Sequence, residues 1–316
     1  MFNEEIKSRF LRSYTENILM ARNCHYLFNT CEKYEREWGT DLCTMDEASL
    51  QKMVDDIAGL RTRTNATKIS ILRDYVKWCI ANNIPGACDG MLKIKEVGLD
   101  NIKTHMVSSP LHLQMYLDEI CLSEDRKSID NTYRCFYWLA YAGMSEADIL
   151  SVRVKDVDLD NMSVWFNGVS YPIYREALQS VKNCARLNVF THYNAKYQKD
   201  MPRTDGDLLL RGIKSTPTPA KMRTKLSRLS KEKLDSGKTN LQLSHARVWL
   251  SGIFYRAYER ERIGIEISFR DAATQSVMAK AENGIDTSDA KTENTIRRTA
   301  NLYLSDYKRW KMAFYS

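Results

Sequence analysis

Three cations cluster near the start of one predicted helix. Arg61, Arg63 and Lys68 lie in the segment RTRTNATK, and the apolar residues after it recur at helical spacing as far as about residue 82. The backbone N–H groups and the dipole at a helix start favour an anion. These residues therefore predict a phosphate contact, although an exposed polar helix start would explain the same cluster equally well.

A second set of cations follows Pro219, in PAKMRTKLSRLSKEKLDSG. Lys221, Lys225 and Arg228 share one helical face beside an apolar face, and Gly237 ends the pattern. The apolar face comprises Met222, Leu226 and Leu229. A helix with one buried and one basic face can follow a phosphate backbone or enter a major groove. The alternative is an amphipathic surface helix with no nucleic-acid partner.

The net charge of +7 comes from the second part of the sequence. Residues 1–105 hold 15 basic and 15 acidic residues, which leaves 32 basic and 25 acidic residues for 106–316. Within 196–262 the counts are 16 basic and 7 acidic. An excess of this kind suits a polyanion such as double-stranded DNA. A solvated lysine-rich surface would give the same counts.

Composition is that of a globular protein, with 43% hydrophobic and 28% charged residues in 316. The length allows two domains. No apolar run is long enough to cross a membrane and the start lacks a signal pattern, so we expect a cytoplasmic protein. The 8 cysteines are scattered without a CxxC pair, which predicts reduced, buried thiols. We expect neither a metal nor another cofactor.

The elements fall into two groups. Residues 1–84 predict a helical domain, 85–107 a linker containing Gly, Pro and Asp, and 108–316 a larger domain. A polar segment over 190–218 predicts either a loop or a hairpin extension. The stretch 133–175 predicts a buried helix that ends at Gly143, a short helix opening at Ser145, and a β-hairpin about Asn167-Gly168.

The segment GMSEADILSVRVKDVDLD, which starts at Gly143, resembles the pattern GLRxSELLxLRWxDID of tyrosine recombinases, the phage integrase family. The resemblance implies a mainly α fold with a small β-hairpin or sheet. It also implies a helical, SAM-like core-binding domain and a C-terminal catalytic-like domain. Members of that family cut DNA with a tyrosine, and cations stabilise the phosphate.

Most of the family's catalytic positions hold other residues here. The first arginine aligns with Ser145, which predicts a helix cap. No lysine lies between Phe166 and Arg175, where the family has one. In LSHARVWLSGIF, Arg247 takes the second arginine's place and could still bind a phosphate, while Ser244 takes the histidine's place. No histidine or tryptophan lies between Leu250 and Arg309, where the family has one of them.

The nucleophile's place falls in TANLYLSDYKRW, on Tyr303 or Tyr307. Both tyrosines belong to an apolar stripe at helical spacing, so packing is the preferred interpretation. The stripe could also serve for self-association of the chain. It comprises Ile296, Ala300, Tyr303, Tyr307, Trp310 and Phe314.

These patterns predict a sequence-specific DNA-binding protein that has lost strand cleavage and is therefore not an enzyme. The resemblance is greatest to MrpR-type phage repressors. It implies repression of the lytic cycle from a prophage, on the host nucleoid. One alternative is a divergent active recombinase that uses Arg247 and Tyr303. Another is a regulatory factor that binds proteins.

Overall fold

The computed structural model describes residues 1–14, 17–94, 97–121, 127–193, 198–212, 215–237, 239–279 and 289–316, with only the backbone for 127–130, 190–193 and 198. These residues form helices and two small antiparallel sheets, which confirms the predicted mainly α class. They divide into an N-terminal unit, Met1–Ile102 with Ser305–Ser316, and a C-terminal unit, Lys103–Leu304. No described helix is both long and apolar enough to cross a membrane.

The N-terminal unit is helical, as the sequence predicts, and its four longer helices lie within residues 4–81. Its helices are α1 (Glu4–Arg12), α2 (Ile18–Trp38), α3 (Glu47–Ile57), α4 (Thr62–Ala81), α5 (Gly90–Lys93) and α6 (Asp100–Lys103). The core between them is made of aromatic, aliphatic and sulfur-containing side chains, including Phe28, Met53, Tyr75 and Cys79.

The segment predicted as a linker, 85–107, is partly structured. It contains α5 and α6, and Met91 and Ile94 are buried in the N-terminal core. The structure therefore extends the N-terminal unit to Ile102 and adds Ser305–Ser316 to it. The sequence had assigned that final segment to the larger domain, because no local pattern shows which core a distant helix joins.

The C-terminal unit surrounds one aromatic helix. Its first helices are α7 (Pro110–Cys121), α8 (Lys127–Ala142) and α9 (Glu146–Ser151). The strands are β1 (Val157–Asp158), β2 (Ser163–Phe166), β3 (Val169–Pro172), β4 (Val189–Tyr193) and β5 (Gln198–Pro202), with α10 (Leu178–Arg186) between β3 and β4. The later helices are α11 (Pro219–Asp235), α12 (His245–Arg262), α13 (Arg270–Met278) and α14 (Ala290–Tyr315).

Both hairpins of this unit have simple register. Phe166 pairs with Val169 across Asn167-Gly168, whose φ values are 49° and 76°, so the predicted two-residue turn is confirmed. In the second hairpin, Val189 pairs with Pro202. The polar segment over 190–218 therefore begins as a hairpin extension, which decides between the two predicted alternatives for its first part.

Helices α8 and α12 cross at a glycine. A Cβ on Gly252 would lie 1.8 Å from the carbonyl oxygen of Tyr141, so the crossing admits no side chain there. Tyr141 and Phe136 on α8 are completely buried. This close approach brings the first residues of α12 to the turn that joins α8 to α9.

The apolar stripe on α14 is buried within the single chain. Tyr303 is 4% exposed, Tyr307 1% and Trp310 0%, and Phe314 is only partly exposed. The packing interpretation of both tyrosines is confirmed. These residues pack inside the chain that carries them, and self-association through this helix stays a prediction.

Candidate nucleic-acid interface

Ser145 is the N-cap of α9, as predicted. Its Oγ accepts a hydrogen bond from the Asp148 backbone N–H at 3.2 Å and donates to Asp148 Oδ2 at 2.7 Å. Gly143, two residues earlier, has a φ of 110°. Ser145 is therefore a neutral side chain that fixes a helix start.

The carbonyl oxygen of Gly143 accepts two hydrogen bonds from neutral donors. Trp249 Nε1 donates at 2.9 Å and Gln275 Nε2 at 3.0 Å. Since Trp249 lies on α12 and Gln275 on α13, the two bonds hold both helices to the turn. The sequence does not show these contacts, because 106 and 132 residues separate the donors from Gly143.

His245 also forms a hydrogen bond to the α8–α9 turn, and its imidazole is uncharged. Its Nε2 donates to the carbonyl oxygen of Met144 at 3.2 Å, and its ring lies 5.6 Å from that of Phe136. Burial lowers the pKa of His245 to about 4. The imidazole is therefore neutral near pH 7 and braces the turn.

A cation also packs behind the turn. Arg256 Nη1 donates to the carbonyl oxygen of Tyr141 at 2.6 Å, and a Cβ on Gly143 would lie 2.8 Å from Arg256 Nη2. Arg256 is half-buried, and the sequence analysis did not single it out. Arg256 follows Gly252 by about one helical turn, and this spacing from the glycine is a sequence signal that could have identified it.

Ser244 and Arg247 belong to the start of α12. Ser244 is its N-cap, with Oγ accepting from the Arg247 backbone N–H at 3.4 Å. Arg247 Nη1 donates to the carbonyl oxygen of Gln242 at 3.0 Å, and burial lowers the pKa of this guanidinium. The retained arginine is therefore half-buried and held against the backbone that precedes its own helix.

The two candidate nucleophiles lie in different units. The ring of Tyr303 is 6.1 Å from that of Trp249, edge to face, inside the C-terminal unit. Tyr307 belongs to the N-terminal unit, where it stacks on Trp310 at 6.1 Å. Both phenol groups pack in cores, and Tyr303 is the one placed in the same unit as Arg247.

The three cations predicted to share one face of α11 lie on one open surface. Lys221, Lys225 and Arg228 line an open pocket of about 360 Å³ together with Ala220 and Thr224. The opposite face of the helix is buried through Met222, Leu226 and Leu229. This open, cationic surface can accommodate a polyanion backbone.

Two contacts shape that surface. Lys221 Nζ donates to Ser215 Oγ at 2.9 Å, and Arg228 Nε lies 3.5 Å from Glu232 Oε1.

The sequence analysis did not single out Arg223, which lies on the same helix. Its Nη1 contacts Glu146 Oε2 at 2.9 Å and thereby joins α11 to α9.

The three cations near the start of α4 are not equivalent. Arg61 and Arg63 are both exposed, and Arg61 Nε lies 3.7 Å from Asp306 Oδ2. Lys68 Nζ donates to the carbonyl oxygen of Ile57 at 2.5 Å, and burial lowers its pKa. The structure therefore leaves Arg61 and Arg63 near the helix start and turns Lys68 towards α3.

A protein-family model described as "MrpR, N-terminal core-binding domain" matches residues 1–81. No curated protein matches the sequence. Among solved structures, XerA recombinase is 13% identical, with 99% of this chain and 98% of that one covered and a TM-score of 0.35.

The Tn1549 transposon integrase in complex with a circular intermediate DNA is 11% identical, with 95% and 94% covered and a TM-score of 0.38. A second complex of that integrase is 14% identical, with 95% and 93% covered and a TM-score of 0.35. The family match itself concerns the N-terminal helices: residues 1–81 are similar to the MrpR N-terminal core-binding domain.

Proposed function

We propose that this protein binds double-stranded DNA without cutting it and acts as a transcriptional repressor of the phage type. The observation that carries the proposal is the pair of serine caps, Ser145 and Ser244, at positions where strand cleavage requires a cation and a proton-carrying group. Each hydroxyl is engaged at the start of a helix.

The chemistry of strand cleavage explains why these replacements matter. A pentavalent phosphate gains its stability from preorganised cations, and removal of one such contact typically costs about 3–4 kcal/mol of barrier. Arg247 is retained, but Ser145, Ser244 and the lysine-free hairpin supply no charge. Losses at several such positions together favour a protein that holds DNA over one that cuts it.

DNA binding is supported by charge and shape. The basic face of α11 forms an open surface, and its Lys221, Lys225 and Arg228 can neutralise phosphates without regard to sequence. The repressor role is supported by the match of residues 1–81 to the MrpR domain and by the resemblance to MrpR-type repressors. That resemblance implies operator recognition, a prophage origin and a nucleoid location.

The experiment measures binding to a short labelled duplex of random sequence over a range of salt concentrations, with chromatin pull-down in the host to find specific sites. We expect affinity to fall steeply with salt, because phosphate contacts release counterions. In the variant Lys221→Gln/Lys225→Gln/Arg228→Gln, binding should weaken and the salt slope should fall by about three.

Replacement of three exposed cations elsewhere, Arg9, Arg12 and Lys52, by glutamine provides the matched control. It carries the same charge change and should keep most of the affinity. Binding that is independent of salt would contradict the proposal and favour a protein-interaction factor. Occupancy of one attachment site, instead of promoter sites, would favour the divergent recombinase.

A further inference from the structure

Asp306 is a buried carboxylate with poor hydrogen bonding. It lies on α14, within the N-terminal unit, and its side chain is 2% exposed. Among the described residues, its Oδ2 has no hydrogen-bond donor. A buried polar group in this condition is costly, so the cations near it determine its charge state.

Two arginines face this carboxylate. Arg61, just before α4, places its Nε 3.7 Å from Oδ2, and Arg309, three residues further along α14, adds a second positive charge. Burial raises the pKa of Asp306 to about 6, and Arg61 and then Arg309 oppose that rise. Among the described residues, these two arginines are the charged groups that act on this pKa.

Arg61 can exchange this partner for another. Its side chain is 51% exposed, and the 3.7 Å contact with Asp306 is longer than a charge-assisted hydrogen bond of about 2.7–2.9 Å. A phosphate oxygen beside the start of α4 would offer that shorter bond, and the dipole of this 20-residue helix also favours an anion there.

We propose that Asp306 is a positioning residue that competes with DNA phosphate for Arg61 and so couples DNA binding to proton uptake. This inference rests on the proposed DNA-binding function. When Arg61 turns to a phosphate, Arg309 is the cation that remains beside Asp306 in the described part of the chain. Its carboxylate then becomes more costly to hold ionised, and it takes up a proton from solvent.

The direction of the pH effect follows from this exchange. The pKa of Asp306 is about 6 in the unbound protein and higher in the complex, so the complex holds more protons above pH 6. DNA affinity should therefore rise as the pH falls towards 6. Below that range Asp306 is protonated in both states and contributes no further change.

The test compares the full chain with Asp306→Asn on the labelled random duplex from about pH 8 to about pH 6. At pH 8 the variant should bind about threefold tighter, since Arg61 no longer has a charged competitor. Its affinity should depend less on pH than that of the unmodified chain. Calorimetry in two buffers of different ionisation enthalpy should show proton uptake that the variant lacks.

Two further variants define the cause. In an Arg61→Gln background, Asp306→Asn should no longer change the affinity. Glu37→Gln, which removes an exposed negative charge from the same unit, should leave proton uptake unchanged. Thermal unfolding of Asp306→Asn should be cooperative, with a midpoint no lower than that of the unmodified chain at pH 8.

Unchanged proton uptake in Asp306→Asn would overturn the inference, as would weaker binding by a cooperatively folded variant. If the unmodified chain itself shows no salt-dependent DNA binding, the proposed function fails instead. The two failures are therefore distinguishable in one set of titrations.

Discussion

Two regions of this molecule place charged or polar groups at helix starts in opposite ways. At the turn between α8 and α9, Ser145 caps α9, and two neutral side chains donate hydrogen bonds to the carbonyl oxygen of Gly143. At the start of α4 there is no side-chain cap, and Arg61 faces a buried carboxylate at 3.7 Å.

The α8–α9 turn is held in place by hydrogen bonds, whereas the start of α4 has groups that can respond to a ligand. The hydrogen bonds described at the α8–α9 turn join parts of the protein to one another, which favours a fixed geometry. Near α4, the Arg61 side chain is 51% exposed and Asp306 Oδ2 accepts no hydrogen bond from the described residues. Arg61 can therefore form a shorter ionic contact with a ligand, and Asp306 can take up a proton. The following predictions probe this contrast, beginning with the largest effect.

Gly252→Ala should cause the largest loss of stability. Its Cβ would meet the backbone oxygen of Tyr141 at 1.8 Å, so α8 and α12 must separate and the turn loses its support. We expect a loss of about 3 kcal/mol or more in the free energy of unfolding, measured by denaturant titration. Gly59→Ala is the matched control, because its nearest neighbour would be 3.8 Å away. Equal stability of the two variants would contradict the close crossing.

The two regions should respond to acid with opposite signs. His245 has a folded pKa of about 4, lowered from 6.5, so its contribution is present above pH 6.5 and lost as the pH falls to 4. Asp306 has a folded pKa of about 6, raised from 3.8, so acidification over that range stabilises the fold. Each full effect amounts to about 3 kcal/mol.

Paired unfolding curves over that pH range measure the two slopes. His245→Gln should reduce the loss of stability on acidification, whereas Asp306→Asn should be more stable than the unmodified chain at neutral pH and should lose that advantage near pH 4. Parallel curves for both variants and the unmodified chain would remove the contrast between the two regions.

Ser145→Ala should have a smaller effect. Loss of the cap on α9 should lower the free energy of unfolding by about 1 kcal/mol, because the Asp148 N–H loses its acceptor. Ser145→Thr, which keeps the hydroxyl that caps the helix and donates to Asp148, is the control and should retain most of the stability. A variant Ser145→Ala as stable as the unmodified chain would show that the serine is not kept as a cap.

The sequence identified features that depend on neighbouring residues. The cap at Ser145 and the Asn167-Gly168 turn lie within a few positions of their partners, and the structure confirms both. It did not identify contacts between distant residues. Nothing in the pattern brings Asp306 to Arg61 or turns Lys68 towards Ile57.

The phase of a helix was also difficult to predict. On α2, Leu19 and Tyr26 are 69% and 73% exposed, whereas Leu27 and Tyr34 are buried. Helical spacing indicates that a face exists, but neighbouring helices determine which of several apolar residues point into the core.

The most direct test of the central claim is a covalent trap. A nicked suicide duplex containing a chromatin-defined binding site would be incubated with the full chain, and protein–DNA adducts would be measured on denaturing gels. We predict salt-sensitive binding of this duplex and no adduct. An adduct that disappears in Tyr303→Phe would contradict the account and establish a strand-cleaving enzyme.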